Sequence, residues 1–170
     1  QNRIFGLMLR MIGDRQEAED LAQEVFIIVH RAIGNYRGEG RFYTWLYRVA
    51  SNTCKNRIKY LKGRNFHRAV EIEDSPQAQL PAGEGGAVVS FQSQVPGPEA
   101  MTEGQRMEHI VQRELAALDP EHRLLIVLRD IQGLTYQDII RITGLQEGTL
   151  KSRLHRARLA LKDRLQPYLR

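Results

Sequence analysis

An all-α protein, built as two small helical domains joined by a flexible acidic linker, is predicted by three features of the chain. Apolar residues recur at the three-to-four spacing of helices through both ends. Lys and Arg are absent from Ala69 to Gln105, where Pro76, Pro81, Pro96, Pro98 and the Gly83–Gly86 run interrupt any long helix. Charge divides the same way: residues 1–68 carry 13 Lys/Arg against 6 Asp/Glu, residues 69–100 none against 5, and residues 101–170 carry 12 against 9. Each end has only about 65 residues and so buries a limited core. Neither is expected to be rigidly fixed to the other.

The 170 residues carry a formal charge of +5, and the pI of about 9.6 suits a nucleic-acid partner. A single cysteine, Cys54, leaves no internal disulfide and no Cys-based zinc site. It lies on the apolar side of its predicted helix, which makes it a small buried hydrophobe. No apolar run approaches a membrane span and no secretory signal is visible, so no membrane insertion and a cytoplasmic location are expected. The chain opens on Gln1 with Ile4, Leu7, Met8 and Met11 already at helical spacing. The native start is therefore expected to lie upstream.

Gly13 ends that first helix, and Asp14 with Glu17 three residues on restarts the chain as a second. Leu21, Val25, Ile28 and Ala32 form its inward stripe. Gln16, Asp20, Gln23, Ile27, His30 and Arg31 point outward, and an isoleucine among polar groups suits a protein partner better than phosphate. Gly34, Gly38 and Gly40 then make a loop. It follows no strand and precedes no Gly-Lys-Ser/Thr, which excludes a nucleotide-phosphate loop.

The next helix, Arg41 to Lys62, contains no Asp or Glu. Arg41, Trp45, Arg48, Asn52, Lys55, Lys59 and Lys62 share an arc of roughly 100°. Phe42, Leu46, Val49, Ala50, Thr53, Cys54, Tyr60 and Leu61 are assigned to the apolar side. Like charges at helical spacing repel unless a polyanion meets them, and an indole and an amide among them suit unpaired bases.

Asp20-Leu-Ala-Gln23-Glu24-Val-Phe26, then Tyr36-Arg-Gly, then Phe42-Tyr-Thr-Trp45-Leu-Tyr-Arg48-Val-Ala-Ser-Asn52, resembles the promoter-melting domain of bacterial RNA polymerase sigma factors of the extracytoplasmic-function (ECF) group. The resemblance implies that Asp20, Gln23, Glu24 and Phe26 bind the clamp helices of core RNA polymerase. It implies a pocket for an extruded base of the minus-10 non-template strand at Tyr36, Phe42 and Asn52, beside Trp45, with Arg48 and Lys55 near the backbone. Extruding a base costs a few kcal/mol. Stacking on an aromatic returns about 1–3 kcal/mol per base.

After the acidic middle, Met107, Ile110, Val111 and Leu115 mark a helix. Asp119-Pro120 caps the next, which buries Leu124, Leu125, Val127 and Leu128 and ends at Gly133. Thr135 and Asp138 open a short helix that stops at Gly144, and a longer basic helix starts near Gln146. Short helix, glycine turn, longer helix is the helix-turn-helix plan. In the last helix Leu150, Leu154, Ala157, Leu161 and Leu165 share one side. Lys151, Ser152, His155 and Arg156 stand exposed in the first turns, where a recognition helix reads bases, and Arg153 and Arg158 suit phosphate or the domain surface.

Gly148-Thr-Leu-Lys151-Ser152-Arg153-Leu-His155-Arg156-Ala-Arg158 resembles the minus-35 domain of the same family. Gln146-Glu147 departs from the proline-containing turn common there. Two motifs in family order across a linker imply a non-enzymatic initiation subunit without cofactor or metal, in domains 1–68 and 101–170. Its expected partners are core RNA polymerase, promoter DNA and an anti-sigma factor. The linker, 69–100, is expected to be a passive tether of low order; the resemblance implies, as the alternative, a path through the polymerase cleft as an acidic stand-in for RNA. The rivals are a one-component helix-turn-helix regulator, which has no use for the Asp20 face, and a nucleic-acid enzyme, for which the five dispersed histidines form no constellation.

Overall fold

The computed structural model describes residues 1–36, 38, 41–73 and 102–169; for residues 35 and 65–73 only the backbone is described. Every regular element among them is helical: α1 (Asn2–Ile12), α2 (Arg15–Ala32), α3 (Phe42–Glu73), α4 (Glu103–Ala116), α5 (Pro120–Ile126), α6 (Tyr136–Thr143) and α7 (Glu147–Leu165). Short 3-10 turns follow α2 and α7, and a π-helical turn, Val127–Ile131, continues α5. The cleft-threading linker expectation falls on residues outside those described, except that α3 runs on from 68 to Glu73.

Local chemistry sets most helix ends. Gly13 takes a left-handed φ of 90° and its N–H returns to the Leu9 carbonyl, which closes α1. Asp14 then accepts from the Glu17 N–H at 2.8 Å to open α2. Asp119 accepts from the N–H groups of Glu121 and His122, with Pro120 at the first helical position of α5. Thr135 caps α6, Gly144 ends it with φ 74°, and α7 starts after Gln146 without a side-chain cap. Thr102 and Gln105 form a reciprocal capping box on α4.

One hydrophobic core runs through both ends of the chain. Leu7, Met8 and Met11 of α1, Leu21 and Val25 of α2 and Tyr47 and Cys54 of α3 join Leu115, Leu124, Leu128, Ile139, Leu150 and Leu154 in one buried cluster. Halves of this size bury too little alone, and here each half covers apolar surface of the other. The inward stripe of α2 is Ala18, Leu21, Ala22, Val25 and Val29; Ile28 and Ala32 are half-buried at its edge.

The apolar side of α3 also needs correction. Its buried residues are Thr44, Tyr47, Ala50, Ser51, Cys54 and Ile58, whereas Phe42 is 41% and Tyr60 59% exposed. Leu46, Val49, Thr53 and Leu61 are only half-buried. Neighbours on two sides decide this. Helices α1 and α2 cover one part of α3 and α6 covers another, so a stripe inferred from α3 alone cannot locate the seam.

Candidate nucleic-acid and polymerase interfaces

The outward face of α2 is open. Asp20 and Gln23 are exposed, and Ile27 stands 51% exposed between them. Gln16 donates to Asp20 across one helical turn at 3.5 Å. Glu24 sits at the edge, where Arg57 of α3 donates to it at 3.2 Å and also pairs with Glu17 at 3.5 Å. Phe26 turns inward and packs partly against the core. The arrangement is an acidic ridge with an apolar centre, backed by rigid packing. Arg57, a residue with no role expected from its place in the pattern, fixes one of its carboxylates.

Around the glycine loop the chain gathers three rings. Tyr36 lies 5.7 Å from Phe42 and 5.4 Å from Trp45, and Phe42 lies 5.6 Å from Trp45. The Tyr36–Phe42 contact is edge-to-face, the favoured aromatic geometry. Gly38 takes φ 72°, a left-handed backbone conformation that glycine adopts without strain. Trp45 is half-buried and packs against the core instead of standing free on the cationic face. Asn52 is exposed but lies ten residues beyond Phe42, about 15 Å of helix rise at 1.5 Å per residue. The structure does not bring it to the rings.

Arg48 is exposed and spent internally: its Nε donates to the Arg141 carbonyl at 3.0 Å, and Nη2 donates to the same oxygen. That carbonyl belongs to the last turn of α6, where an unsatisfied acceptor and the helix dipole both favour a cation. Lys55 is half-buried on the same stripe. Further along, Asn56, Lys59, Tyr60, Gly63 and Arg64 line an open groove. Tyr60 thus belongs with the cations, although the sequence assigned it to the apolar side.

On α7 the buried side is Leu150, Leu154 and Ala157, with Leu161 and Leu165 half-buried behind them. Lys151, Ser152, His155 and Arg156 face solvent. Lys151 pairs with Glu147 one turn back at 2.6 Å, and this carboxylate raises the lysine pKa. Ser152 donates to the Thr149 carbonyl. Arg153 is anchored to Glu121 at 2.6 Å, and Arg158 makes a two-pronged contact with Asp130 at 2.6 and 3.0 Å. Those two arginines brace α7 against the α5 segment, whereas the bonds of Lys151, Ser152 and Arg156 stay within α7 and leave their side chains on its outer face.

Two buried features escaped the sequence. Arg123 sits inside α5 and donates to the carbonyls of Met11, Ala116 and Leu118, the last at 3.1 Å. Its place directly before the apolar run Leu124–Leu128 was the available signal. Tyr47 donates to Gln132 at 3.0 Å and accepts from Tyr43 at 2.8 Å. Burial, then the bond from Tyr43, holds its phenol well above the usual range. Burial also pushes the Cys54 thiol up to about 12, so it is inert at neutral pH. Among the described residues no cluster of His, Cys, Asp or Glu is arranged to hold a metal, and no helix is long and apolar enough to cross a membrane.

The chain matches the family models for sigma-70 region 2 over residues 1–64 and sigma-70 region 4 over residues 108–161. It is 39% identical over 170 residues to the RNA polymerase sigma-H factor of Pseudomonas aeruginosa, covering all of this chain and 84% of that one. The ECF RNA polymerase sigma-E factor of Escherichia coli is 34% identical over the same span, again covering 84% of the relative. Among solved structures, the fold is similar to the sigma factor RpoE from Bartonella quintana, solved with the anti-sigma factor NepR (TM-score 0.60, 22% identity, 96% of this chain and 89% of that one). It is equally similar to CnrH, solved with the cytosolic domain of CnrY (TM-score 0.60, 19% identity, 96% and 81%). The chain belongs to the sigma-70 family of RNA polymerase sigma factors, in its ECF group.

Proposed function

We propose that this sigma factor divides promoter recognition among three surfaces. The α2 ridge at Asp20, Gln23, Glu24 and Phe26, with Ile27 at its centre, docks on core polymerase. The Tyr36–Phe42–Trp45 rings receive an extruded minus-10 base, while Arg48, Asn52 and Lys55 serve the strand further along α3. Lys151, Ser152, His155 and Arg156, steadied by Arg153, read the minus-35 duplex. Nucleotidyl transfer is the polymerase's work and this chain supplies no catalytic group. Its setting is the cytoplasm, and an anti-sigma factor restrains it, as the solved relatives' partners suggest.

The observation that carries the reading is the ring cluster beside an uninterrupted cationic helix, on a different element from the exposed α7 side chains. A stacking site suits separated strands, and a helix N-terminus with paired and unpaired donors suits a major groove. The test is reconstitution with core polymerase and run-off transcription from a selected promoter pool. Asp20→Lys with Glu24→Lys abolishes polymerase-dependent transcripts; full activity in that variant refutes the docking face. Asn52→Ala lowers permanganate reactivity of the bubble and leaves duplex binding intact, and an unchanged bubble refutes the strand role.

A further inference from the structure

We infer that Arg57 is a positioning residue for polymerase docking: reaching across from α3, it holds the Glu24 carboxylate of α2 in one orientation and leaves one of its oxygens for the polymerase. The inference rests on the proposed docking of the α2 ridge and adds a residue of another helix to it.

Arg57 is set apart from the other cations of α3. It lies nine residues beyond Arg48, half a turn round the helix at about 100° per residue, and seven beyond the buried Ala50. It therefore continues the buried side of the helix, beside Cys54 and Ile58. That side is turned away from the stripe of Arg48 and Lys55, so strand binding leaves Arg57 without a task.

Its guanidinium is flanked by two carboxylates of α2. Nη2 donates to Glu24 Oε2 at 3.2 Å, and Nη1 stands 3.5 Å from Glu17 Oε2. Glu17 and Glu24 are seven residues apart, hence on one line of α2, at the border between its inward stripe and its outward ridge. Glu17 Oε2 is buried without a hydrogen-bond partner, and the guanidinium balances its charge. Moving the cation away would strand that oxygen, which anchors Arg57 in place.

Exposure shows which partner of the Glu24 pair is the fixed one. The Arg57 side chain is 28% exposed and that of Glu24 49%. A planar guanidinium held from the Glu17 side sets the direction of the Glu24 carboxylate. Oε2 is taken; among the described residues Oε1 accepts from no donor. A glutamate free on a helix surface loses rotamer freedom when a partner binds it, whereas one held beforehand has already lost it.

Charge alone predicts the opposite outcome. A cation beside an acidic ridge lowers its pull on a basic partner, so an Arg57 that acted only by its charge would slow association, and removing it would tighten binding. Preorganisation acts on dissociation instead. The two effects separate in the rate constants.

The test measures association and dissociation of the full chain on immobilised core RNA polymerase. Arg57→Met is expected to speed dissociation about two- to fivefold, the range of a part-exposed ion pair, with association unchanged or faster. Arg57→Lys, which keeps the charge without the two-pronged fork, recovers part of the loss. In the Glu24→Ala background Arg57→Met has no further effect, because nothing is left to position. Unchanged dissociation in Arg57→Met, or an equal increase with and without Glu24, overturns the inference. Should Arg57→Met not fold, Arg57→Lys is compared in the same two backgrounds, and the same two outcomes overturn it. If Glu24→Ala alone leaves dissociation unchanged, the docking role of Glu24 is overturned and the positioning with it. If Glu24→Ala speeds dissociation while the Arg57 variants do not, the positioning alone is overturned.

Discussion

Replacing Arg123 with Met tests how the two halves share one core. The guanidinium donates to three carbonyls, from Met11 in α1, Ala116 in α4 and Leu118 beyond it. Bonds to a charged donor are each worth about 1.5–3 kcal/mol, so their gross loss is roughly 5–9 kcal/mol. Against this, removing a buried cation recovers a desolvation cost of several kcal/mol, and that cost is visible in the lowered Arg123 pKa. The balance is a net loss of about 3 kcal/mol, because the carbonyls stay buried without a donor while Met keeps the apolar stem packed. At about 2–4 °C per kcal/mol for a chain of this size, the melting temperature falls by roughly 6–12 °C. Urea unfolding followed by circular dichroism gives the free energy directly. A change below about 1 kcal/mol would refute the claim that one side chain of α5 ties down the ends of α1 and α4 by satisfying their carbonyls.

Raising pH from neutral should destabilise the fold from about 9 upward. The Cys54 thiol ionises near 9.0 when exposed and only at about 12 when buried, so the unfolded chain loses its proton first and stability declines across that window. Thermal melts between pH 8 and 11 check this, and Cys54→Ala should reduce the decline, leaving the part that Tyr47, also held up by burial, contributes at the upper end. Gly144→Ala should cost about 1–2 kcal/mol: φ is 74° and nothing lies within 4 Å, so the penalty is backbone strain alone. Denaturant midpoints measure it. Lys151→Ala with Arg156→Ala should weaken minus-35 duplex binding roughly ten- to hundredfold and relax its base preference, while polymerase affinity in a pull-down stays unchanged.

Where the sequence was legible, the physics was local. Asp14, Asp119-Pro120, Thr135 and Gly144 place helix ends through bonds to residues two to four positions away, and each acts at or beside its expected place. The exposed side chains of α2 and α7 followed from simple periodicity for the same reason. Thr102 and Gln105 carry an equally local signal, which was open to view and not used. The π-helical turn after α5 left none, and the seam on α3 was hidden for a different cause. Tyr47 has the same helical preferences in water as against Gln132, so only the arrival of the other half decides that it is buried and Phe42 and Tyr60 are not.

The bonds that link Tyr43 and Tyr47 of α3 to Gln132 bear on why the two ends reside in one polypeptide. Because residues 74–101 connect them covalently, their meeting is a unimolecular event, governed by an effective concentration and not by the abundance of the protein. A contact of any given strength is then more fully populated than it would be between separate molecules at micromolar abundance. Doubling the tether would shift that balance by only about 0.6 kcal/mol, so insertions there would act as a fine adjustment, while severing the chain would abolish the contact outright.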